Sequence, residues 1–533
     1  ELNSSQNKML RILGVDNDAV NQGWMCDKGR YNFEYLNSDS RLKTPLKMTD
    51  NELVEIEIQD VYSELTEFIK DRQTKVNFLL GSNLTNEDYV AFREFSKTIS
   101  QSERSFYLND DLLYKGFFGE NIELAKIDDL NSSDAIVVWA EDLKEKLPVL
   151  YLRIRQAVKN GVKLVVFGHT NETLSDIADV FYGKDMVSEN FEILKDLSKM
   201  KEINNLVVGK NITAILGKST PYQSDESVTK LFEFLNSNAN SKVLNAYSKG
   251  NTYGAFQILE NLKGLNDFVN DISKDNTDLL FIVGADPIGR SVYSNQIKSI
   301  IKSINTVVTL DNFNHETSEL SDYVVPISST LGEKEGTFTN IEFRTSRIDK
   351  LVPSPGQTLS DWEFITSLMN FAGLTVESNS LEDLNRKAYE NLDSSLSPVF
   401  DNLDKPSNLD GMINISKPKI SSSENKLSKT MFFTGEKLYG DSATERHSDS
   451  ISMLGSKKFI EVSESVVEKY NLTSGSCTLT QDEVEVTVSY EVNNNFPNDL
   501  VYIPTNRREL NKFDFSREIM IIPSQVKEAL NVN

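Results

Sequence analysis

The segment Trp24-Met25-Cys26-Asp27-Lys28-Gly29-Arg30 carries the most distinctive chemistry in the chain. A cysteine beside cations is the setting in which a thiolate forms and binds a soft metal. One cysteine does not hold an iron–sulfur cluster, which usually takes four, so a free thiol is the plain reading of these residues alone. The second cysteine, Cys477, lies far along the chain. Two widely separated thiols make no disulfide framework, and a reducing, cytoplasmic setting is expected.

Other candidate sites are weaker. Gly217-Lys218-Ser219 follows a strand-like run, as in a phosphate-binding loop, but the glycine needed five residues earlier is Ile212. No G-x-G-x-x-G fingerprint accompanies either strand–helix–strand unit described below, so dinucleotide binding has no direct support. Gly284-Ala285-Asp286-Pro287 ends a strand, where open α/β sheets bind ligands. Asp286 either accepts hydrogen bonds from a nucleotide or simply caps the turn that Pro287 imposes. His315 and Glu316 offer acid–base chemistry or form a solvated loop pair, since no Ser or Cys nucleophile can be assigned beside them. His169 reads as a turn residue and His447 as part of a polar loop. Three histidines in all leave little room for a histidine metal site.

The elements that must position these residues follow from apolar periodicity. Asp134 to Trp139 reads as a strand. Pro148 to Lys159 reads as a helix with Leu150, Ile154 and Val158 on one face, and Lys163 to Phe167 as the next buried strand. The design recurs in Asp278 to Val283, Ile297 to Ile304 and Thr306 to Leu310. Two such units predict an α/β fold with doubly wound, Rossmann-like parallel sheets. A third strand–helix pair, Ile212 to Leu216 and Ser224 to Leu235, predicts an inserted α/β lobe. Leu403 to Ser428, rich in Ser, Asn, Lys and Pro, predicts a linker. Beyond it, short runs at 431–433, 459–462, 477–480, 484–490 and 500–503 predict a C-terminal β-barrel-like domain.

The bulk properties narrow the function. A chain of 533 residues is too long for one core. Its net charge of −24, with no basic patch, disfavours nucleic acid. No apolar run reaches the roughly 18 residues that span a bilayer, so a soluble chain without membrane insertion is expected. It begins with Glu1 rather than Met and is read as a fragment of a longer protein.

Several segments, taken together and in order, resemble the molybdopterin oxidoreductase superfamily. The similarity is greatest to the molybdopterin-oxidoreductase-like subunit of NADH-quinone oxidoreductase (respiratory complex I). Trp24 to Tyr31 followed by Arg41-Leu-Lys-Thr-Pro-Leu46 is similar to the end of the family's [4Fe–4S] region. Gly81 to Asp88 resembles the opening of its first α/β domain, and Glu145 to Arg155 the helix after the next strand. Asp322-Tyr-Val-Val-Pro326 running into Glu333-Lys-Glu-Gly-Thr-Phe-Thr-Asn340 is the most specific match. Glu342-Phe343-Arg344, Ser360-Asp-Trp-Glu363 and Thr434-Gly-Glu-Lys-Leu-Tyr439 follow in family order.

The resemblance implies six segments. Residues 1–50 would be the remnant of a [4Fe–4S] domain and 51–200 the first part of an α/β domain. Residues 201–262 would be the inserted lobe, 263–402 the second part, 403–428 the linker and 429–533 the C-terminal β domain. It also implies that Cys26 matches the fourth ligand of a [4Fe–4S] cluster in the full-length protein, with its three partners upstream of Glu1. Lys28 would raise the cluster's potential through its charge. Catalytic relatives often place cysteine, selenocysteine or serine on molybdenum, from a loop that would fall between Phe95 and Asp134. That stretch has no cysteine, its serines lack a recognisable ligand motif, and Phe343 replaces a glycine. No molybdopterin and no catalytic residue are therefore expected in this chain.

The implied role is scaffold in the peripheral arm, at the cytoplasmic face of the plasma membrane. The implied partners are other peripheral-arm subunits, including the one that binds flavin and NADH. Electrons would pass through iron–sulfur centres towards quinone, coupled to ion pumping. The alternatives are a molybdopterin-dependent enzyme, such as a formate dehydrogenase catalytic subunit, and a non-catalytic Rossmann-type scaffold.

Overall fold

The computed structural model describes residues 1–71, 73–99, 105–110, 123–140, 142–168, 172–182, 201–217, 235, 240–272, 277–342, 344–389, 430–455, 458–515 and 517–524. The chain opens with a hairpin of β1 (Leu2–Ser5) and β2 (Lys8–Ile12). A short helix, Asp27–Tyr31, leads to a second hairpin, β3 (Leu46–Thr49) and β4 (Glu52–Glu55). The amphipathic helix Ile58–Lys70 follows, burying Val61, Leu65 and Ile69. It feeds β5 (Val76–Leu80), and the helix Asn86–Ile99 returns the chain to β6 (Phe106–Leu108).

The chain then leaves this sheet and builds another. β7 (Glu123–Leu124), β8 (Ala135–Trp139), β9 (Lys163–Phe167), β10 (Val180–Tyr182), β11 (Ile212–Leu216) and β12 (Ser241–Asn245) form an all-parallel sheet in the order β10-β9-β8-β11-β12-β7. All five residues of β8 and of β11 are buried. Continuous apolar runs of this kind mark strands covered on both faces.

The first sheet is completed much later by β13 (Leu279–Val283), β14 (Thr306–Asp311) and β15 (Tyr323–Pro326), in the order β4-β3-β15-β14-β13-β5-β6. The register sets Phe78 against Phe281 and Phe106. Their rings stack with centroids 5.6 and 5.1 Å apart, and Phe95 closes on Phe281 edge-on. A small hairpin, β16 (Gly336–Thr339) and β17 (Thr345–Ile348), and the helices Asp361–Phe371 and Leu381–Tyr389 complete this body.

The C-terminal domain is a mixed sheet curled into a half-barrel. Its strands are β18 (Met431–Gly435), β19 (Phe459–Val462), β20 (Ser476–Gln481), β21 (Val484–Val492), β22 (Leu500–Pro504) and β23 (Met520–Pro523). The α/β fold class, the parallel sheets and the curled β domain agree with expectation.

The expected limits of the inserted lobe do not follow the sheets. The boundary at residue 200 would divide β8 and β9 from β11 and β12, which share one sheet. What interrupts the first body is the whole second sheet, β7 to β12. The bridge from Tyr107 to Lys263 marks where the chain leaves and re-enters. Periodicity finds a buried strand but says nothing of which strand lies beside it. The linker 403–428, the helical run 224–234, His169 and Phe343 lie outside the described residues.

Candidate functional site

The carboxyl ends of strands from all three bodies meet at one cleft of about 120 Å3. From the second sheet come Ala140 after β8, Gly217 after β11, and Ala246 to Lys249 after β12. The first sheet supplies Asn109 and Asp110 after β6, and Arg290 to Tyr293 beyond β13. The C-terminal domain supplies Thr434, Gly435 and Glu436 at the end of β18, with Thr505 after β22. The floor is tight. A Cβ on Gly217 would stand 3.2 Å from the Cβ of Ala140 and 3.3 Å from that of Ala246.

The cleft is charged, and its charges answer one another. Glu436 lies 3.5 Å from Lys146 and 3.4 Å from Arg290. Burial alone would raise its carboxyl. The charges of Lys146, Arg290, Lys249 and Lys28 outweigh burial and hold it well below the usual range. Lys249 donates to the Asn109 carbonyl at 2.7 Å.

The cysteine segment stands beside this network. Cys26 is half-buried and caps the helix Asp27–Tyr31, its sulfur accepting the Gly29 N–H at 3.4 Å. Lys28 pairs with Glu445, at 2.8 Å. Glu445 is buried, which would raise its carboxyl, yet Lys28 and Arg290 hold it at about 2. Tyr439 donates to Asp27 at 2.8 Å and pins the same helix to the C-terminal domain. Lys28 thus joins the Cys26 helix to the carboxylates around the cleft. Cys477 is elsewhere, in the core of the curled sheet, where burial pushes its thiol up to about 11. Among the described residues no group of three or more His, Cys, Asp or Glu is placed to hold a metal ion.

The two readings of Asp286 and His315 are resolved by geometry. His315 is buried, with Nδ1 3.3 Å from Asp286 and Nε2 3.3 Å from Asp311. Burial lowers its pKa, but the two carboxylates win and push it up to about 10. Held between two carboxylates, and with Nδ1 also 3.3 Å from the Ser318 N–H, it is placed as a structural link rather than as a general base. Asp286 is spent on His315, on the Thr317 hydroxyl at 2.6 Å and on the Gly289 N–H at 3.0 Å. Glu316 pairs with Arg508 at 2.6 Å, and His447 stacks on Phe313 with centroids 4.5 Å apart.

The segment Glu333 to Asn340 is a buried polar hub. Arg41 grips Glu333 through two bonds of 2.9 and 2.7 Å. Lys334 stands between Asp88, at 2.6 Å, and Asp361. Thr337 donates to Glu87 from both its N–H and its hydroxyl, and Asn251 accepts from the Thr339 N–H. Asn86 donates to Thr337 and Thr339. These contacts lock β16 to the helices Asn86–Ile99 and Asp361–Phe371. The segment with the most specific resemblance is scaffold, and the cleft lies elsewhere.

Sequence reasoning did not single out Lys146, Lys249, Arg290 or Glu436. Their common signal is position: each follows the end of a strand, at the edge where α/β sheets bind ligands.

The sequence matches the family described as molybdopterin oxidoreductase over residues 41–371. It is 22% identical to the F420-dependent formate dehydrogenase subunit alpha of Methanocaldococcus jannaschii, covering 70% of this chain and 69% of that protein. It is also 22% identical to a subunit of the NADH-quinone oxidoreductase of Buchnera aphidicola, covering 64% of this chain and 43% of that one. The fold is similar to that of the acetylene hydratase from Pelobacter acetylenicus, with a TM-score of 0.63 and 11% identity. That match covers 95% of this chain and 90% of the other.

Proposed function

The chain belongs to the molybdopterin oxidoreductase family, and on that premise we propose that it is the electron-transferring subunit of a larger oxidoreductase. The observation that carries this is the placement of Cys26. Its sulfur is half-buried on a short helix that Lys28 and Asp27 tie to the C-terminal domain. A partly accessible thiol fits one ligand of an iron–sulfur cluster, with the other three supplied by cysteines that are not among these 533 residues. When bound, such a cluster takes up and gives off single electrons. The chain's own part is to hold Cys26 in place and to set a cation, Lys28, two residues away.

The finer reading is a role like that of the matched subunit of NADH-quinone oxidoreductase, in the peripheral arm beside the flavin subunit. The cleft supports it. A pterin nucleotide carries phosphate, and the described lining does not fit one. Lys146 and Arg290 already face Glu436, Lys249 is bonded to a carbonyl, and Asp110 adds another carboxylate.

A second reading is a formate dehydrogenase-like enzyme that does carry the pterin. The comparisons favour it over the first: the formate dehydrogenase subunit is matched over more of its length than the NADH-quinone oxidoreductase subunit.

Metal analysis of the protein purified with its native partners tests both. The first reading expects iron that falls by about one cluster in Cys26→Ser, with molybdenum far below stoichiometric. Stoichiometric molybdenum with formate oxidation would establish the second. Unchanged iron in Cys26→Ser would overturn the role of Cys26 in either.

A further inference from the structure

We propose that Glu436 is a built-in counter-anion: it occupies, from within the chain, the place in the cleft that the phosphate of a soluble ligand would take. The cleft has the attributes of an anion site. It lies at the carboxyl ends of parallel strands from two sheets, where ligands of open α/β folds bind. Lys146 from the short helix after β8, Lys249 from the loop after β12, and Arg290 from the turn after β13 all stand in its lining. Cations drawn from separate strand ends seldom meet without an anion, because their mutual repulsion in a partly desolvated space is unfavourable.

The anion here comes from the third body. Glu436 follows the last residue of β18, so the C-terminal domain delivers it as it closes over the two sheets. Its carboxylate lies within 3.5 Å of Lys146 and 3.4 Å of Arg290. It remains partly open to solvent, at 18% exposure, and is not sealed in a core.

A tethered carboxylate competes with any free anion at a high effective concentration. The unmodified cleft should therefore reject phosphate-bearing ligands although it has the cations to bind them. Neutralising the tether should turn a closed site into an open one. Glu436→Gln keeps the shape and removes the charge, and Glu436→Ala also makes room. Inorganic pyrophosphate is the probe, since it presents phosphate without a base, a sugar or a pterin.

Titration calorimetry of the full chain with pyrophosphate tests the proposal. The unmodified chain is expected to show no saturable binding at millimolar concentration. Glu436→Gln and Glu436→Ala should bind at least tenfold more tightly, with affinity that falls as salt rises. Adding Arg290→Ala to either should abolish the gain. Asp482→Asn removes one charge from an exposed carboxylate in the β20–β21 turn and should gain nothing, which separates a local effect from the change in net charge.

Equal binding by the unmodified chain and the two variants would overturn the proposal. So would folded variants that fail to bind, or an equal gain in Asp482→Asn. If both Glu436 variants unfold, the carboxylate is a fold determinant and the proposal also falls. None of these outcomes touches the role of Cys26, which carries the electron-transfer reading.

Discussion

Two charge clusters in this molecule are mirror images with different consequences. In the hub, one cation, Lys334, stands between two carboxylates, Asp88 and Asp361, all with side chains at most 1% exposed. In the cleft, one carboxylate, Glu436, stands between two cations, Lys146 and Arg290, with side chains 15–24% exposed. The hub lies inside one body, and neutral donors satisfy Asp88: the Thr85 N–H and hydroxyl on one oxygen, and the Trp362 N–H on the other. The cleft lies where three bodies meet, and its partners arrive on separate strand ends. Burial within one body makes a charge cluster a structural commitment. Placement at a joint leaves it free to answer a ligand.

Breaking the hub should give the largest effect. Lys334→Ala strands two buried carboxylates against each other, a change expected to cost about 3–5 kcal/mol of stability. Denaturant titration would show it, and a loss under about 1 kcal/mol would contradict the contrast between hub and cleft.

His315 tests the same principle through pH. Its pKa is raised from 6.5 to about 10 in the fold. Its contribution is therefore complete below the unfolded value and is lost as pH rises through the folded one. Stability should fall between about pH 6.5 and 10, by no more than roughly 1.4 kcal/mol per pH unit. The slope should flatten in His315→Asn. An unflattened profile would assign the fall to other groups.

At the cleft, Glu436→Gln should cost only about 1–2 kcal/mol, because the amide keeps a hydrogen-bonding shape before two partly solvated cations. A cost equal to that of Lys334→Ala, measured side by side, would erase the distinction. Lys28→Ala should cost least, roughly 1 kcal/mol or less, because its ammonium is a third exposed and Glu445 keeps the Ser442 and Gly440 donors. A thermal melt shifted by as much as that of Lys334→Ala would show that Lys28 belongs to the scaffold.

What can be read from the residues follows the same division. Strands announce themselves by local composition: the apolar runs of Phe459–Val462 and Lys163–Phe167 mark the limits where these strands are found. The adjacency of β8 to β11 is not legible, because the apolar run of each is silent about its neighbour. The segment Glu333 to Asn340 is legible as a resemblance but not as a hub. Its partners Arg41, Asp88, Glu87 and Asn251 come from far along the chain. The nearness of Lys28 to Cys26 is legible in the sequence, but its pairing with Glu445 is not, because only the packing of the C-terminal domain brings the two together. The cleft is the least legible part. It is assembled from single residues after several different strands, and no local pattern announces such a meeting.

The interruption of the first sheet bears on how the chain folds. Lys75, just before β5, donates its N–H to Asp278, just before β13, and 203 positions separate the two. The central pair of that sheet cannot form until the whole second sheet has been synthesised. Closing a free loop of that length carries an entropic cost that grows only with the logarithm of its length, but it must be met before any pairing rewards it. A second sheet that folds first shortens the search, because it draws its own ends together. Those ends already meet where Phe106 and Leu108 exchange backbone hydrogen bonds with Lys263. The layout therefore predicts an order of assembly, with the interrupting unit first and the interrupted one after it.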